Sequence, residues 1–325
     1  MPQKGSEPGS DPAYRVDMSG IWQADDAGIA RAAARLREGG LVGMPTETVY
    51  GLAADADDAR AVARVFAAKG RPAFNPLIVH VTDAAAASTV IGPDHCAGKL
   101  MAAFWPGPLT LVLPVRRGAP VADIALGGLD TVAVRVPAHP AALALLRAFG
   151  GPLVAPSANR SGRISPTRAA HVRAELPGVP VLDGGPCPAG LESTIVSLAS
   201  STPRLLRPGA LDAARVEAVL SHPLHRADGG VRAPGMMASH YAPAAAVRPD
   251  ADAARDGEVL LGFGGTPGAA LDLSEEGDLT EAAANLFDML RRLDGRAAAI
   301  AVAPVPERGL GIAINDRLRR AAAPR

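Results

Sequence analysis

The stretch Lys69-Gly70-Arg71-Pro72-Ala73-Phe74-Asn75-Pro76-Leu77-Ile78-Val79-His80-Val81 decides how the chain is read. Gly70, Pro72 and Pro76 break regular hydrogen bonding and fix local turns, so Lys69 to Pro76 is expected as a loop. Leu77 to Val81 follows as an apolar run with β-branched Ile78, Val79 and Val81, which predicts a short buried strand. Two cations, an amide and an imidazole therefore sit on a stiffened loop against a strand, where ligand contacts usually lie. A solvated basic turn would carry the same charges, but not a Phe and two prolines between them.

Upstream, Asp57 or Asp58 is placed to cap a helix running through Val62, Val65 and Phe66 to Ala68, which delivers this loop. Asp25 or Asp26 starts an earlier helix to about Arg37, Gly39-Gly40 ends it, and Leu41 to Met44 is a buried strand. That strand runs into Pro45-Thr46-Glu47-Thr48-Val49-Tyr50-Gly51-Leu52, which by residue type reads as a strand-to-loop transition with a tight turn at Gly51. Downstream, helices over 84–87, 95–104 and 140–149 alternate with strands over 109–113, 131–136 and 152–155. Arg135 lies inside an apolar strand, and burying it alone is costly, so a protein partner or a ligand must meet it.

A second polar loop, Pro156 to Thr167, carries hydroxyls, an amide and two arginines between a strand and a helix expected near Thr167. Such a join aims backbone N–H groups at an anion. Ser165-Pro166-Thr167 also reads as a plain N-cap. Strands over 181–185, 192–196 and 204–207 and a helix over 211–220 complete the pattern of a mostly parallel or mixed α/β sheet.

The length of 325 residues suggests about two domains. Residues 1–20 are expected as a mobile tail with no apolar segment, hence neither signal peptide nor membrane span. Residues 21–220 form the main domain, 221–247 a linker rich in Pro, Gly and His, and 248–325 a second unit with two strand–helix pairs. Gly262-Phe263-Gly264-Gly265 lacks the spacing of a dinucleotide loop. The net charge is zero, so no overall field draws the chain to nucleic acid or a membrane. Cys96 and Cys187 stand far apart and outside any CxxC, which excludes a disulfide scaffold or zinc site and fits a reducing cytoplasm.

Loops at strand ends thus hold Thr46 and Thr48; Lys69, Arg71, Asn75 and His80; Ser157, Asn159 and Ser165; and Arg207. Cations, hydroxyls and amides in that mixture suit a phosphorylated ligand. No P-loop is present.

Taken together, the segments resemble the threonylcarbamoyl-AMP synthase family of YrdC-like proteins. The resemblance is carried by Pro45 to Leu52, by Lys69-x-Arg71 with Asn75-Pro76-Leu77, and by Pro156-Ser157-x-Asn159. Trp105-Pro106-Gly107-Pro108-Leu109-Thr110, Glu192-Ser193-Thr194-Ile195 and Arg207-Pro208-Gly209 add to it. His240-Tyr241-Ala242-Pro243 and Ile312 to Leu318 resemble the family's long form. This implies a twisted mixed open sheet with flanking helices, followed by a small C-terminal α/β Rossmann-like domain. It implies that L-threonine, bicarbonate and ATP give threonylcarbamoyl-adenylate and pyrophosphate, with Mg²⁺ carried by ATP.

By motif position, Thr48, His80, Arg135, Ala155 and Ser193 would hold threonine. Lys69, Arg71, Asn75, Thr131, Ser157, Asn159, Ser165 and Arg207 would surround ATP, with Lys69 and Arg71 neutralising charge in the reaction and Tyr241 closing over the site. The product would pass to a tRNA threonylcarbamoyl transferase complex, with room for a weak tRNA contact. Two rival readings are an RNA-binding module of the same fold and a carbamoyl-transfer module using carbamoyl phosphate.

Overall fold

The computed structural model of the chain describes residues 20–226, 233–235 and 239–324. The expected tail, apart from Gly20, lies outside them, as do Met236, Met237 and Ala238 of the linker.

Helix α1 (Asp26–Arg37) begins where the Asp25 carboxylate accepts a hydrogen bond from the Gly28 amide at 2.8 Å. Strands β1 (Ile21–Gln23), β2 (Val42–Met44) and β3 (Gly51–Asp55) flank it in sequence. Helix α2 (Ala59–Lys69) is capped by Asp58 and buries Ala61, Val62, Val65 and Phe66, the helical stripe read from the sequence. It ends at Gly70, whose φ of 59° is left-handed, so the chain turns at once into β4 (Ile78–His80).

The short helices α3 (Ala84–Ala87) and α4 (His95–Phe104) lead to β5 (Leu109–Pro114), α5 (Asp123–Leu126) and β6 (Thr131–Arg135). Next come α6 (Pro140–Phe149), β7 (Leu153–Val154), α7 (Ala169–Glu175) and β8 (Val181–Asp183). The main domain closes with β9 (Thr194–Ser197), β10 (Arg204–Arg207), α8 (Ala213–Leu220) and β11 (His225–Arg226).

These strands form one mixed sheet in the order β1-β8-β2-β3-β7-β4-β6-β5-β9-β10-β11. Its centre alternates direction: β7 is antiparallel to both β3 and β4, β4 is parallel to β6, and β6 is antiparallel to β5. The β4–β6 register sets His80 beside Arg135, bringing two separately read side chains together. Apolar clusters cover the sheet, one built on α2, α4 and α8 and another on α1 and α6.

The second unit is a parallel sheet of β12 (Ala246–Arg248), β13 (Glu258–Gly262), β14 (Leu271–Asp272) and β15 (Ala299–Val302), ordered β12-β15-β13-β14. Helices α9 (Leu279–Leu293) and α10 (Leu310–Ala322) pack on it. Its core also takes in Val49, Ile164, Leu191 and Tyr241, so the two units share apolar contacts at the site loops. No helix among the described residues is long and apolar enough to cross a membrane.

Two local readings are corrected. Gly51 makes no tight turn: it opens β3, a Gly/Ala-rich strand that weak β propensity hides and that pairing with β2 and β7 creates. Nor does Ser165-Pro166-Thr167 cap a helix. Helix α7 starts at Ala169 with Arg168 at its N-cap and no side-chain cap bond, while the Thr167 amide donates to His171 Nδ1 at 3.2 Å.

Candidate active site

Loops from both sheet halves and from the linker enclose a small cavity between the two units. It is lined by Thr48, Arg71, His80, Arg135, Ser193 and Arg207 on the main-domain side, and by Pro234, Gly235, His240 and Tyr241 on the linker side. Its volume is about 40 Å³.

At one end of the cavity Arg135 is nearly fully buried and has the protein partner its burial demands. Its Nη2 lies 2.6 Å from Glu47 Oε1, Nη1 donates to Thr48 Oγ1 at 2.9 Å, and Nε donates to the Gly107 carbonyl at 3.1 Å. Thr48 Oγ1 also meets Thr46 Oγ1 at 2.9 Å, so the Thr-Glu-Thr turn wraps the guanidinium.

His80 stands beside it. Burial, reinforced by the Arg135 charge, lowers its pKa to about 3, so the ring is neutral. Its Nδ1 lies 3.2 Å from the Ile78 carbonyl, which can only accept. The proton therefore sits on Nδ1 and leaves Nε2 as an acceptor. A fixed cation, a hydroxyl and a neutral acceptor at one spot suit a small zwitterion with a hydroxyl group.

At the other end Arg71 and Arg207 line the cavity together with the Glu192 carboxylate. Arg71 reaches back along its own loop, donating from Nε to the Asn75 carbonyl and from Nη2 to Asn75 Oδ1 and the Pro76 carbonyl. Burial, then the charge of Arg207, brings its pKa to about 10. Arg207 donates to the Ser193 carbonyl at 2.8 Å and to the Pro234 carbonyl at 3.2 Å. Lys69 Nζ donates to the carbonyls of Ser157 and Asn159, joining the end of α2 to the Pro156–Thr167 loop. Burial, and secondarily Arg71, depresses its pKa well below the ordinary lysine value. The Arg71 charge thus lowers the Lys69 pKa and the Arg207 charge that of Arg71, and a run of buried cations of this kind suits an anion.

The sequence-expected residues therefore largely converge. Thr48, Arg71, His80, Arg135, Ala155, Ser157, Ser193, Arg207 and Tyr241 line the cavity. Lys69, Asn75 and Asn159 stand immediately behind it through the hydrogen bonds just described, and Ser165 does so through Glu192. Thr131 is the exception: it lies at the far end of β6, opposite Pro114, away from the cavity. Only its position on the Arg135 face of the strand connects it to the site.

Sequence reading missed Glu47, Glu192 and His240 as lining or partner groups. A carboxylate inside a motif otherwise rich in hydroxyls, as in Glu192-Ser193-Thr194, was the available signal.

Family models match over almost the whole described chain: one described as telomere recombination over residues 34–209, and one described as threonylcarbamoyl-AMP synthase, C-terminal domain, over 211–323. The threonylcarbamoyl-AMP synthase of Bacillus subtilis is 40% identical, with 95% of this chain and 97% of that protein aligned. This chain belongs to the threonylcarbamoyl-AMP synthase family.

The family member from Pyrococcus abyssi is 43% identical over 90% of this chain and 94% of its own length. The crystal structure of P. abyssi Sua5 complexed with L-threonine superposes with a TM-score of 0.85 at 39% identity, covering 93% of this chain and 96% of that one. A putative threonylcarbamoyl-AMP synthase of Mycobacterium tuberculosis, 42% identical, aligns with only 59% of this chain but 89% of its own.

The buried imidazoles make the fold acid-sensitive. Burial is the largest cause in His240 as well, lowering its pKa to about 3. In the unfolded chain each histidine takes up a proton near pH 6.5, whereas in the fold it does not, so stability is present above pH 6.5 and is lost as pH falls toward 3. The expected slope is about 1.4 kcal/mol per pH unit for each histidine. Thermal melts between pH 7 and pH 5 should show falling midpoints, with a shallower fall for His240→Gln. An equal slope in that variant would show that His240 is not buried neutral.

Proposed function

We propose that the chain is an L-threonylcarbamoyladenylate synthase, a nucleotidyltransferase that joins L-threonine, bicarbonate and ATP with release of pyrophosphate and water. The observation that carries the reading is the two-ended cavity: Arg135, Thr48 and His80 at one end, Arg71 and Arg207 with Lys69 behind them at the other. L-threonine bound to a relative that shares this fold supports the assignment of the first end.

The chemistry follows from that polarity. The threonine carboxylate pairs with Arg135, and its hydroxyl donates to His80 Nε2. Its amine, once carboxylated, presents a carbamate oxygen to the α-phosphorus, and the P–O bond to pyrophosphate breaks in line. Such a displacement needs position and charge neutralisation rather than a protein nucleophile. The three cations supply the charge.

Among the described residues no cluster of three or more His, Cys, Asp or Glu side chains is placed to hold a metal. Glu192 at the cavity and Glu47 behind Arg135 are already engaged by arginines. The donor set therefore fits Mg²⁺ held by phosphate and water rather than by the protein, and when bound it would share neutralisation of the triphosphate.

Carbamates hydrolyse readily, so closure of the linker serves to exclude water. Tyr241, 1% exposed and stacked on Phe287 at 5.7 Å, is the side chain that seals the cavity from the second unit. We place the reaction in the cytoplasm, its product feeding the threonylcarbamoyl modification of tRNA adenosine.

The test is pyrophosphate release by the full chain, with threonine and bicarbonate each withheld in turn. Dependence on both is expected, and release indifferent to threonine would remove the assignment. In Tyr241→Ala, less adenylate should form per ATP consumed; an unchanged ratio would take the sealing role from Tyr241.

A further inference from the structure

The last helix of the second unit reaches into the site with a charge. Arg317 on α10 is 1% exposed and extends to Glu192, 125 residues earlier. Its Nε donates to Glu192 Oε2 at 2.9 Å, and its Nη1 donates to the Pro208 carbonyl at 2.8 Å. Nη1 is also held by Asp316 Oδ2 at 2.8 Å, and the guanidinium lies 5.0 Å from the centre of the Tyr241 ring. One side chain thus touches three site elements: the residue before Ser193, the residue after Arg207, and the linker tyrosine.

Those elements meet at one corner. Arg207 donates to the Ser193 carbonyl and, at 3.2 Å, to Ser193 Oγ. The turn at Pro208-Gly209 lies so close to the 192–194 backbone that a Cβ on Gly209 would come within 2.4 Å of the Glu192 carbonyl oxygen. Glu192 itself is buried, lines the cavity and accepts a hydrogen bond from Ser165 Oγ. Glu192 and Arg207 act on each other through their charges; left without another cation, the carboxylate would compete with the phosphates for that guanidinium. Burial alone would raise the Glu192 pKa, yet the charges of Arg317 and then Arg207 hold it below the usual carboxylate value.

We propose that Arg317 is a positioning residue that neutralises Glu192, so that Arg207 stays available to the incoming phosphates, and that this is what the second unit contributes to the site. Arg317 touches no reacting atom. It acts through Glu192 and Pro208, and its attachment to α10 makes the phosphate end of the cavity depend on docking of the second unit. The inference rests on the ATP reading of Arg207.

The experiment measures ATP affinity calorimetrically without threonine, alongside KM and kcat for pyrophosphate release, in full-chain Arg317→Met, Arg317→Lys, Glu192→Gln and the double variant E192Q/R317M. R317M is expected to weaken ATP binding at least about tenfold, or about 1.4 kcal/mol, through KM rather than kcat. The double variant, which removes the competing carboxylate, should return to within about threefold of wild type, whereas R317K, which keeps the charge but not the fork that spans Glu192 and Pro208, should fall between R317M and wild type.

A folded double variant as weak as R317M would overturn the proposal, because a purely structural role predicts no rescue. So would unchanged ATP affinity in R317M. Should R317M and the double variant both fail to fold, Glu192→Gln decides: ATP affinity that holds or rises supports the proposal, and a tenfold loss overturns it. If the wild type binds ATP but releases no threonine-dependent pyrophosphate, the proposed activity fails while the affinity series still reads Arg317.

Discussion

Replacing Lys69 by Met is expected to lower threonine-dependent pyrophosphate release by about 10² to 10³, the range seen when one preorganised charge or donor is removed from a polar transition state. Lys69 is the last residue of α2, where Gly70 ends the helix in a left-handed turn, so its side chain is fixed at the base. Among the described residues its ammonium is in no ion pair: Nζ donates to backbone carbonyls of the Ser157–Asn159 loop, and Glu175 acts on it only through its charge. Burial, then Arg71, depresses its pKa well below that of a free lysine.

A bound triphosphate reverses that shift, because an anion favours the protonated form. ATP binding should therefore be accompanied by proton uptake at alkaline pH, seen as a dependence of binding enthalpy on the buffer's ionisation heat. The uptake should shrink in Lys69→Met, while threonine affinity stays within about threefold, since the threonine end holds its own cation. Full activity in that variant, with proton uptake unchanged, would show that Lys69 only braces the loop.

How much of this was open to a reader of the sequence depends on the range of the interaction involved. Helices α2 and α9 and strands β4, β5 and β6 follow from patterns a few residues long: an Asp cap, an apolar stripe, a β-branched run. Buried Arg135 was legible as a demand for a partner, because desolvation makes the demand local. Which partner it takes was not. Glu47 lies 88 residues earlier and reaches Arg135 only because β6 and the Thr46–Thr48 turn meet across the sheet.

Strand β3 was illegible for a related reason. Gly51, Ala53 and Ala54 carry little strand preference, and the strand exists through its neighbours β2 and β7. Resemblance assigned site residues one position at a time, but motif order alone could not show that Thr131 lies off the cavity or that α10 supplies a charge to the 192–194 corner.

The second large effect is expected at the threonine end. Arg135→Ala should weaken L-threonine binding by about 10² or more, since a buried, hydrogen-bonded charge pair typically loses 2–5 kcal/mol when one partner is truncated. Two losses add. The zwitterion's carboxylate forfeits its cation, and Glu47, 13% exposed, becomes a nearby anion without its Arg135 partner. Glu47→Gln separates them: it removes the competing carboxylate while leaving Arg135, so threonine affinity should hold or rise. Arg135→Lys should fall between, because an ammonium cannot span Thr48 Oγ1, the Gly107 carbonyl and a carboxylate at once as the planar fork does. ATP affinity measured without threonine should change little in all three. Calorimetric titration of threonine into each variant checks the series. Wild-type affinity in Arg135→Ala would mean that threonine binds elsewhere and that the Arg135–Glu47 pair only holds the Thr46–Thr48 turn against β6.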